Sequence, residues 1–365
     1  MQLNGYLMSG DKATARIEQG RLTPILPDLM PLYLTARDDL KGWLESRAID
    51  RHRPNSRILK KVLRLTETDD LSTVLRVHGA TVTDNYWIKP DSESELSYSQ
   101  VRFSINYFAD LALTGRFESY NHSFSDTELH SRSPELTNIG SYEKCWRLAD
   151  GAWYLYKQGT PLERYSELFI AQLGKAFGFS TAEYEADGDY IRSRDFTEGR
   201  LNFEPAASVV GDNEDYEYNY DRISALSPAL LPAYLDLLFM DALCYNMDRH
   251  TLNYGFLRDQ STGKIASMAP NFDNNIALIA RGYGVSPEHS NGLLIDLFLD
   301  LLRAKGVQYA VPELPDEQII QIARDTLPGE SIDRDYVARF IADRYHRLEN
   351  QIQSLESSGP TMSHT

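Results

Sequence analysis

The chain has 365 residues, enough for two domains or for one bilobal domain with an extension. Its composition is that of an ordinary folded protein, with 42% hydrophobic, 25% charged and 11% aromatic residues. A formal net charge of −16 argues against a general nucleic-acid binder, because phosphate contacts need clustered cations, but it leaves room for a local basic face.

Residues 1 to about 25 read as a small hairpin, NGYLM and TARIE with Gly-Asp between them. From Pro31 to about Thr66, Leu40, Trp43, Leu44, Ile58, Val62 and Leu63 recur at helical spacing. The same stretch carries Arg47, Arg51, Arg53, Arg57, Lys60, Lys61 and Arg64, expected to be a solvated helix face laced with charged pairs. A docking surface for an acidic partner or a nucleic acid is the sharper reading of that basic island. The aromatics Tyr86, Trp87, Phe103, Tyr107 and Phe108 are expected in a core, since few cations interleave with them as a base-stacking platform would require. Residues 113–135 are polar and read as a linker.

From Leu136 the pattern becomes a small β-rich region. A strand, a turn at Asp150-Gly151 and a second strand end at Lys157, whose ammonium could bridge nucleotide phosphates. Gly140 and Ser141 lie in a preceding turn whose backbone amides could face phosphate, Gly140 permitting close approach. The helix that follows places Glu163 and Glu167 one turn apart on one face. Glu167, nearer the apolar Ile170 and Phe177, is the better partner for Lys157. STAEYEADGDYIRSRDF reads as a hairpin running into a linker near Arg194 to Thr197. The acidic, tyrosine-rich stretch 204–221 reads as a solvated loop; Asp212, Glu214, Asp215 and Glu217 there would favour a basic substrate segment.

Ser227-Pro228 opens a helical region in which Leu231, Leu235, Leu238 and Ala242 form a buried stripe. That helix ends in a polar loop carrying Asp248 and, five residues on, Asn253. A hairpin turning at Thr262-Gly263 then leads to Asp273. Loops are rich in Asp and Asn for turn-forming reasons, so the first pair alone means little. With Asp273 added, the spacing matches phosphoryl transfer: a carboxylate to take the hydroxyl proton, and an amide and a carboxylate to hold magnesium on the nucleotide. Helices at 287–305, 316–325 and 333–355 complete the packing. Cys145 and Cys244 allow neither a disulfide framework nor a zinc spacing, so core packing and a reducing cytoplasm are expected. The start shows no charged-then-apolar signal pattern, and the most apolar run, Leu293 to Leu302, is broken by Asp296 and Asp300.

With Lys157, Glu167, Asp248, Asn253 and Asp273 in that order, the chain resembles the HipA-like serine/threonine kinases, bacterial proteins with a compact kinase-related fold. The resemblance covers about residues 136–277, and NMDRHTLNYGFL and APNFD carry most of it. It implies an α+β, bilobal protein-kinase-like fold: an N-terminal accessory region over 1–130, a small β-rich N-lobe over 131–200 and a larger α-helical C-lobe over 201–356. A disordered tail is expected over 357–365. The implied roles are Asp248 as catalytic base, Asn253 and Asp273 as magnesium ligands, and Lys157 as phosphate ligand, with ATP and Mg2+ as cofactors. Arg249 and His250 would hold the loop, and Ser141 is the candidate for autophosphorylation. A protein substrate and an antitoxin or other regulator are the implied partners, with no membrane and no direct nucleic-acid contact. In ordinary eukaryotic kinases His-Arg precedes the Asp and Phe-Gly follows the second one; here Arg249-His250 follows Asp248, and Asn274 follows Asp273. A lipid or small-molecule kinase on the same core, and a non-catalytic nucleotide-binding regulator, remain as alternatives.

Overall fold

A computed structural model describes residues 2–65, 69–116, 132–278, 280 and 292–357. Most of the expected 113–135 linker, and the tail beyond residue 357, lie outside them. The chain divides into two compact units, one made of 1–159, 185–209 and 255–269, the other of 160–184, 210–254 and 270–365.

Three antiparallel sheets are built largely from the first unit. β1 (Gly5–Ser9), β2 (Lys12–Glu18), β3 (Arg21–Pro24) and β4 (Tyr86–Pro90) pair in the order β3-β2-β1-β4. The expected hairpin thus gains a third strand, because Gly20, at φ 82°, makes a second tight turn after that at Gly10. β5 (Lys144–Ala149), β6 (Ala152–Lys157), β7 (Tyr184–Asp187) and β8 (Tyr190–Arg194) pair in the order β5-β6-β8-β7. The turn between β5 and β6 has positive φ at both Asp150 and Gly151, the geometry that matches strand twist in a two-residue hairpin. β9 (Leu201–Pro205), β10 (Gly255–Asp259) and β11 (Ile265–Met268) form the third sheet, with β10 central. Asp259 closes the β10–β11 turn by accepting from the amides of Ser261 (3.0 Å) and Thr262 (2.8 Å).

One core joins the early residues to the β5–β6 hairpin. Val77, Trp87, Phe108 and Leu113 pack with Leu136, Cys145 and Tyr156, all at most 5% exposed. Four of the five aromatics expected in a core are buried, while Tyr107 is 38% exposed.

The long helical stretch expected over 31–66 is three short helices, Leu32–Ala36, Leu40–Glu45 and Ser56–Val62. Asp39 caps the second by accepting from the Gly42 amide, and Pro54 disfavours helix at Arg53 before the third. The basic island is not one solvated face. Arg51 keeps an exposed ion pair with Asp70, but Arg47 and Arg53 are buried. Arg47 reaches Asp84 (2.8 Å) and the Gly79 carbonyl (2.9 Å) and lies over Trp43. Arg53 donates to Glu135 (3.3 Å) and to the carbonyls of Ala112, Asn138 and Lys144. Glu135 also accepts from Asn106 (2.9 Å), Asn138 (2.9 Å) and the Trp146 amide (2.7 Å). Burial pushes its carboxyl up, and Arg53 with these donors pulls it back.

The acidic stretch 204–221 is likewise not a loop. Glu204 is buried in β9 and pairs with Arg258 of β10 at 2.8 Å. A turn of helix, Ala207–Val210, follows, and Asp215 caps the helix Tyr216–Leu226 through the Tyr218 amide (2.7 Å). Asp212, Glu214, Asp215 and Glu217 are exposed as expected.

The second unit is helical: Pro161–Ala176, Tyr216–Leu226, Leu231–Cys244, Leu293–Lys305, Asp316–Asp325 and Arg334–Ser357. The first opens with a capping box in which Thr160 and Glu163 exchange bonds, so Glu163 serves the helix end. Phe177, Phe239, Phe298, Tyr309 and Tyr345 stack edge and face at its centre. The buried Arg344 closes the C-terminus of Leu231–Cys244 by donating to the carbonyls of Ala242 and Leu243, where the helix dipole favours a cation.

Two outcomes follow from these buried charges. Glu135→Ala should remove about 3–5 kcal/mol of stability, measured by urea denaturation, since it strands Arg53 without its carboxylate. Asp195, buried after β8 with its carboxylate accepting from Thr197, has its carboxyl pushed up by burial to about 6. The folded state therefore holds that proton more tightly than the unfolded chain does. The resulting stabilisation is complete below the ordinary value of 3.8 and lost as pH rises through about 6. Melting curves from pH 4 to 7 should show Asp195→Asn flattening that decline and melting above the parent protein at pH 7.

Candidate active site

The centre of the site is built from a helix end. Tyr245 follows Leu231–Cys244 in the left-handed conformation, φ 53°, and turns the chain out of the helix. Asn246 donates its backbone amide to the Asp241 carbonyl (3.0 Å), and its side-chain oxygen accepts the Asp248 amide (3.1 Å). The loop then closes on itself. His250 donates to the Asp248 carbonyl (2.8 Å), the Asn253 amide to the His250 carbonyl (2.8 Å), and Asn253 Nδ2 to the Asp248 carbonyl (3.2 Å). Asp248 is left half-buried between the buried Asn246 and Arg249.

Arg249 ties this loop to the segment holding Asp273. Its Nε and Nη2 each donate to Asp241 at 2.9 Å. Nη1 reaches the carbonyls of Asn253 and Phe272, both at 2.7 Å. Nη2 also reaches Asn271 Oδ1 (2.9 Å) and Asn274 Oδ1 (2.7 Å). Asp241 is 1% exposed; burial pushes its carboxyl up, while Arg249 and Asn246 pull it back.

Three further contacts fix Asp273, which sits at φ 62°, a conformation Asp tolerates better than most residues. Its amide donates to the Tyr184 hydroxyl (3.2 Å). Glu167 Oε2 accepts the Asn274 amide (2.8 Å), and Ser166 Oγ donates to the Asn274 carbonyl (2.6 Å). Asn271 pairs with strand-like residues 180–182 through two backbone bonds of 2.9 Å. Arg249 thus joins the loop carrying Asp248 and Asn253 to the segment carrying Asp273, which Glu167 holds through Asn274.

The remaining expected residues belong to the first unit. Lys157 ends β6, paired with Lys144 and Ile191 and 6% exposed. Gly140 has φ 110°, a value that L side chains avoid, and precedes the exposed Ser141 ahead of β5. Sequence reading missed Asp241, Asn246, Ser166, Asn271 and Asn274. Asp241 was detectable as a carboxylate inside the apolar run LLFMDALC. Ser166 and the asparagines carried no such mark.

No family model and no curated protein matches the chain. Among solved structures, HipA of Shewanella oneidensis MR-1 matches 96% of this chain and 97% of its own, with a TM-score of 0.57 and 12% identity. That structure is a toxin-antitoxin complex of HipA with HipB and operator DNA. The chain is HipA-like in fold. The proinflammatory kinase CtkA of Helicobacter pylori is similar over 58% of this chain and 95% of its own, with a TM-score of 0.45 and 16% identity. The HipA-like fold agrees with the α+β, kinase-related architecture expected from the sequence. Among the described residues no helix is long and apolar enough to cross a membrane.

Because a lysine ammonium is one point of charge, it cannot reproduce the planar fork of Arg249. Arg249→Lys should lose about 2–4 kcal/mol of stability, the scale of breaking a buried hydrogen-bonded pair. Hydrogen exchange should quicken at 248–253 and 271–275 together. Faster exchange in only one of the two segments would show that Arg249 does not join them.

Proposed function

We propose that the chain is an ATP-dependent serine/threonine protein kinase of the HipA type, transferring the γ-phosphoryl group of ATP to a protein hydroxyl. The observation that carries this reading is that Arg249 joins the loop of Asp248 and Asn253 to the segment of Asp273 in a HipA-like fold. A loop that merely turned the chain would need neither the second carboxylate nor a buried guanidinium to fasten it.

In this mechanism Asp248 accepts the proton of the acceptor hydroxyl as the phosphoryl group moves. Its backbone is fixed by Asn246 and Asn253, so the carboxylate is presented without reorganisation. Asn253 and Asp273 supply hard oxygen ligands of the kind Mg2+ prefers, and two protein ligands suit an ion that keeps most of its water. The Asn253 amide nitrogen is engaged by the Asp248 carbonyl, which turns its oxygen away from that bond and makes it the ligating atom. When bound, Mg2+ would offset the repulsion between phosphate charges, about 4 kcal/mol per unit pair at 4 Å in a partly desolvated setting. Lys157 is assigned a phosphate oxygen, Gly140 and Ser141 the phosphate-facing turn, and Glu167 the support of Asp273 through Asn274. Ser141, exposed in that turn, is the assigned autophosphorylation site.

Burial of Cys145 and Cys244 as free thiols supports a cytoplasmic setting. A HipB-like antitoxin is the proposed partner, supported by the company in which the Shewanella HipA was crystallised.

Asp248→Asn should lower phosphotransfer by about 10²–10⁴-fold while ATP–magnesium still raises the melting temperature. Asp273→Ala should lose both the transfer and the magnesium-dependent part of that rise. Full labelled-phosphate transfer by the Asp248 variant would remove its role. Label on lipid or sugar with none on protein would favour the small-molecule alternative, and no ATP shift at all would favour the regulator.

A further inference from the structure

Resting on that kinase reading, one feature of the loop bears on what it phosphorylates. Within 246–253 the side chains alternate between anchored and outward. Asn246, Arg249, Thr251 and Asn253 are 2%, 9%, 5% and 6% exposed. Met247 and Leu252 are 44% and 45% exposed, although both are large and apolar. A single exposed leucine needs no explanation, because much of any protein surface is apolar. Here two lie beside the half-buried Asp248 in the chain, Met247 directly before it and Leu252 four residues after, on a loop held in place by its own hydrogen bonds. Asp248 is pinned by Asn246, Leu252 N–H points at His250 Nδ1 (3.3 Å), and Arg249 fastens the Asn253 carbonyl.

We propose that Met247 and Leu252 form the acceptor-docking lip of the site and select a serine or threonine flanked by apolar side chains. Methionine is unbranched and polarisable, so it adapts to several apolar neighbours, while leucine gives a fixed wall. Neither side chain can bond a charged or amide flank, and docking one there would strip its water without replacement. The lip thus discriminates by what it fails to satisfy as much as by what it buries.

The test uses the full chain, ATP–magnesium and peptides with a central serine flanked by Leu/Phe, by Gly, or by Lys. The parent protein should show kcat/KM for the Leu/Phe peptides about tenfold or more above the Gly peptides, the scale of burying part of one apolar side chain. Met247→Ser with Leu252→Ser should bring that ratio close to one. Met247→Glu should move preference toward the Lys-flanked peptides, a gain that an unfolded protein cannot give. Equal use of all peptides by the parent protein overturns the lip and leaves the kinase standing. So does a preference that survives the double substitution, or label confined to the chain itself. No label on any peptide or on the chain overturns both.

Discussion

The geometry of the site depends on one buried guanidinium. Arg249 is surrounded by acceptors in the fixed fork that only arginine presents: a carboxylate, two backbone carbonyls and two amide oxygens. A charge so deeply buried is expensive unless every donor is used and a counter-ion stands beside it. Asp241, one turn before the end of its helix, supplies that counter-ion. The pair is therefore a weak source of net stability and a strong source of specificity. Any displacement of the 248–253 loop relative to the 271–274 segment breaks bonds in a low-dielectric interior, where they are hardest to replace.

Around that point the support is layered. Arg344 holds the carbonyls at the end of Leu231–Cys244, so the helix delivering Asp241 and Asn246 has a fixed terminus. Ser166 and Glu167, neighbours on the helix Pro161–Ala176, take the carbonyl and the amide of Asn274. A small rotation of that helix would pull on the peptide following Asp273. The residues doing the holding are 9% exposed or less, while Asp248 and Asp273 are half-buried. The holding groups are inside and the two carboxylates lie nearer the edge, the arrangement that the proposed preorganised electrostatic catalysis would need.

Much of this was legible in the sequence. Of the apolar stripe Leu231, Leu235, Leu238 and Ala242 the last three are buried as expected, and glycine marked the turns at Asp150-Gly151 and Thr262-Gly263. The spacing of Asp248, Asn253 and Asp273 marked the two segments that Arg249 joins. Glu167 was chosen over Glu163 as the partner of Lys157; in the structure Glu167 is buried and accepts the Asn274 amide, while Glu163 caps its helix. What stayed hidden were bonds between residues far apart in the chain. Asn271 and Asn274 look like turn residues, and only the folded backbone shows that their oxygens face Arg249.

The basic island failed for the same physical reason. Charge patterning assigns arginines to solvent because isolated charges are rarely buried, yet Arg47 and Arg53 are 7% and 1% exposed. Each, like Arg258, takes backbone carbonyl oxygen and one carboxylate from distant parts of the chain. Glu135 lies 82 positions from Arg53, Asp84 lies 37 from Arg47, and Glu204 lies 54 from Arg258. Glu135 lay in a stretch read as a polar linker and Glu204 in one read as a solvated loop, yet both are buried partners of arginines. Periodicity reports which face of an element is apolar; it has no access to a cation whose partner arrives from another element. In this chain those cations fasten segments together, so the sequence signal most readily dismissed as surface is part of what fixes the interior.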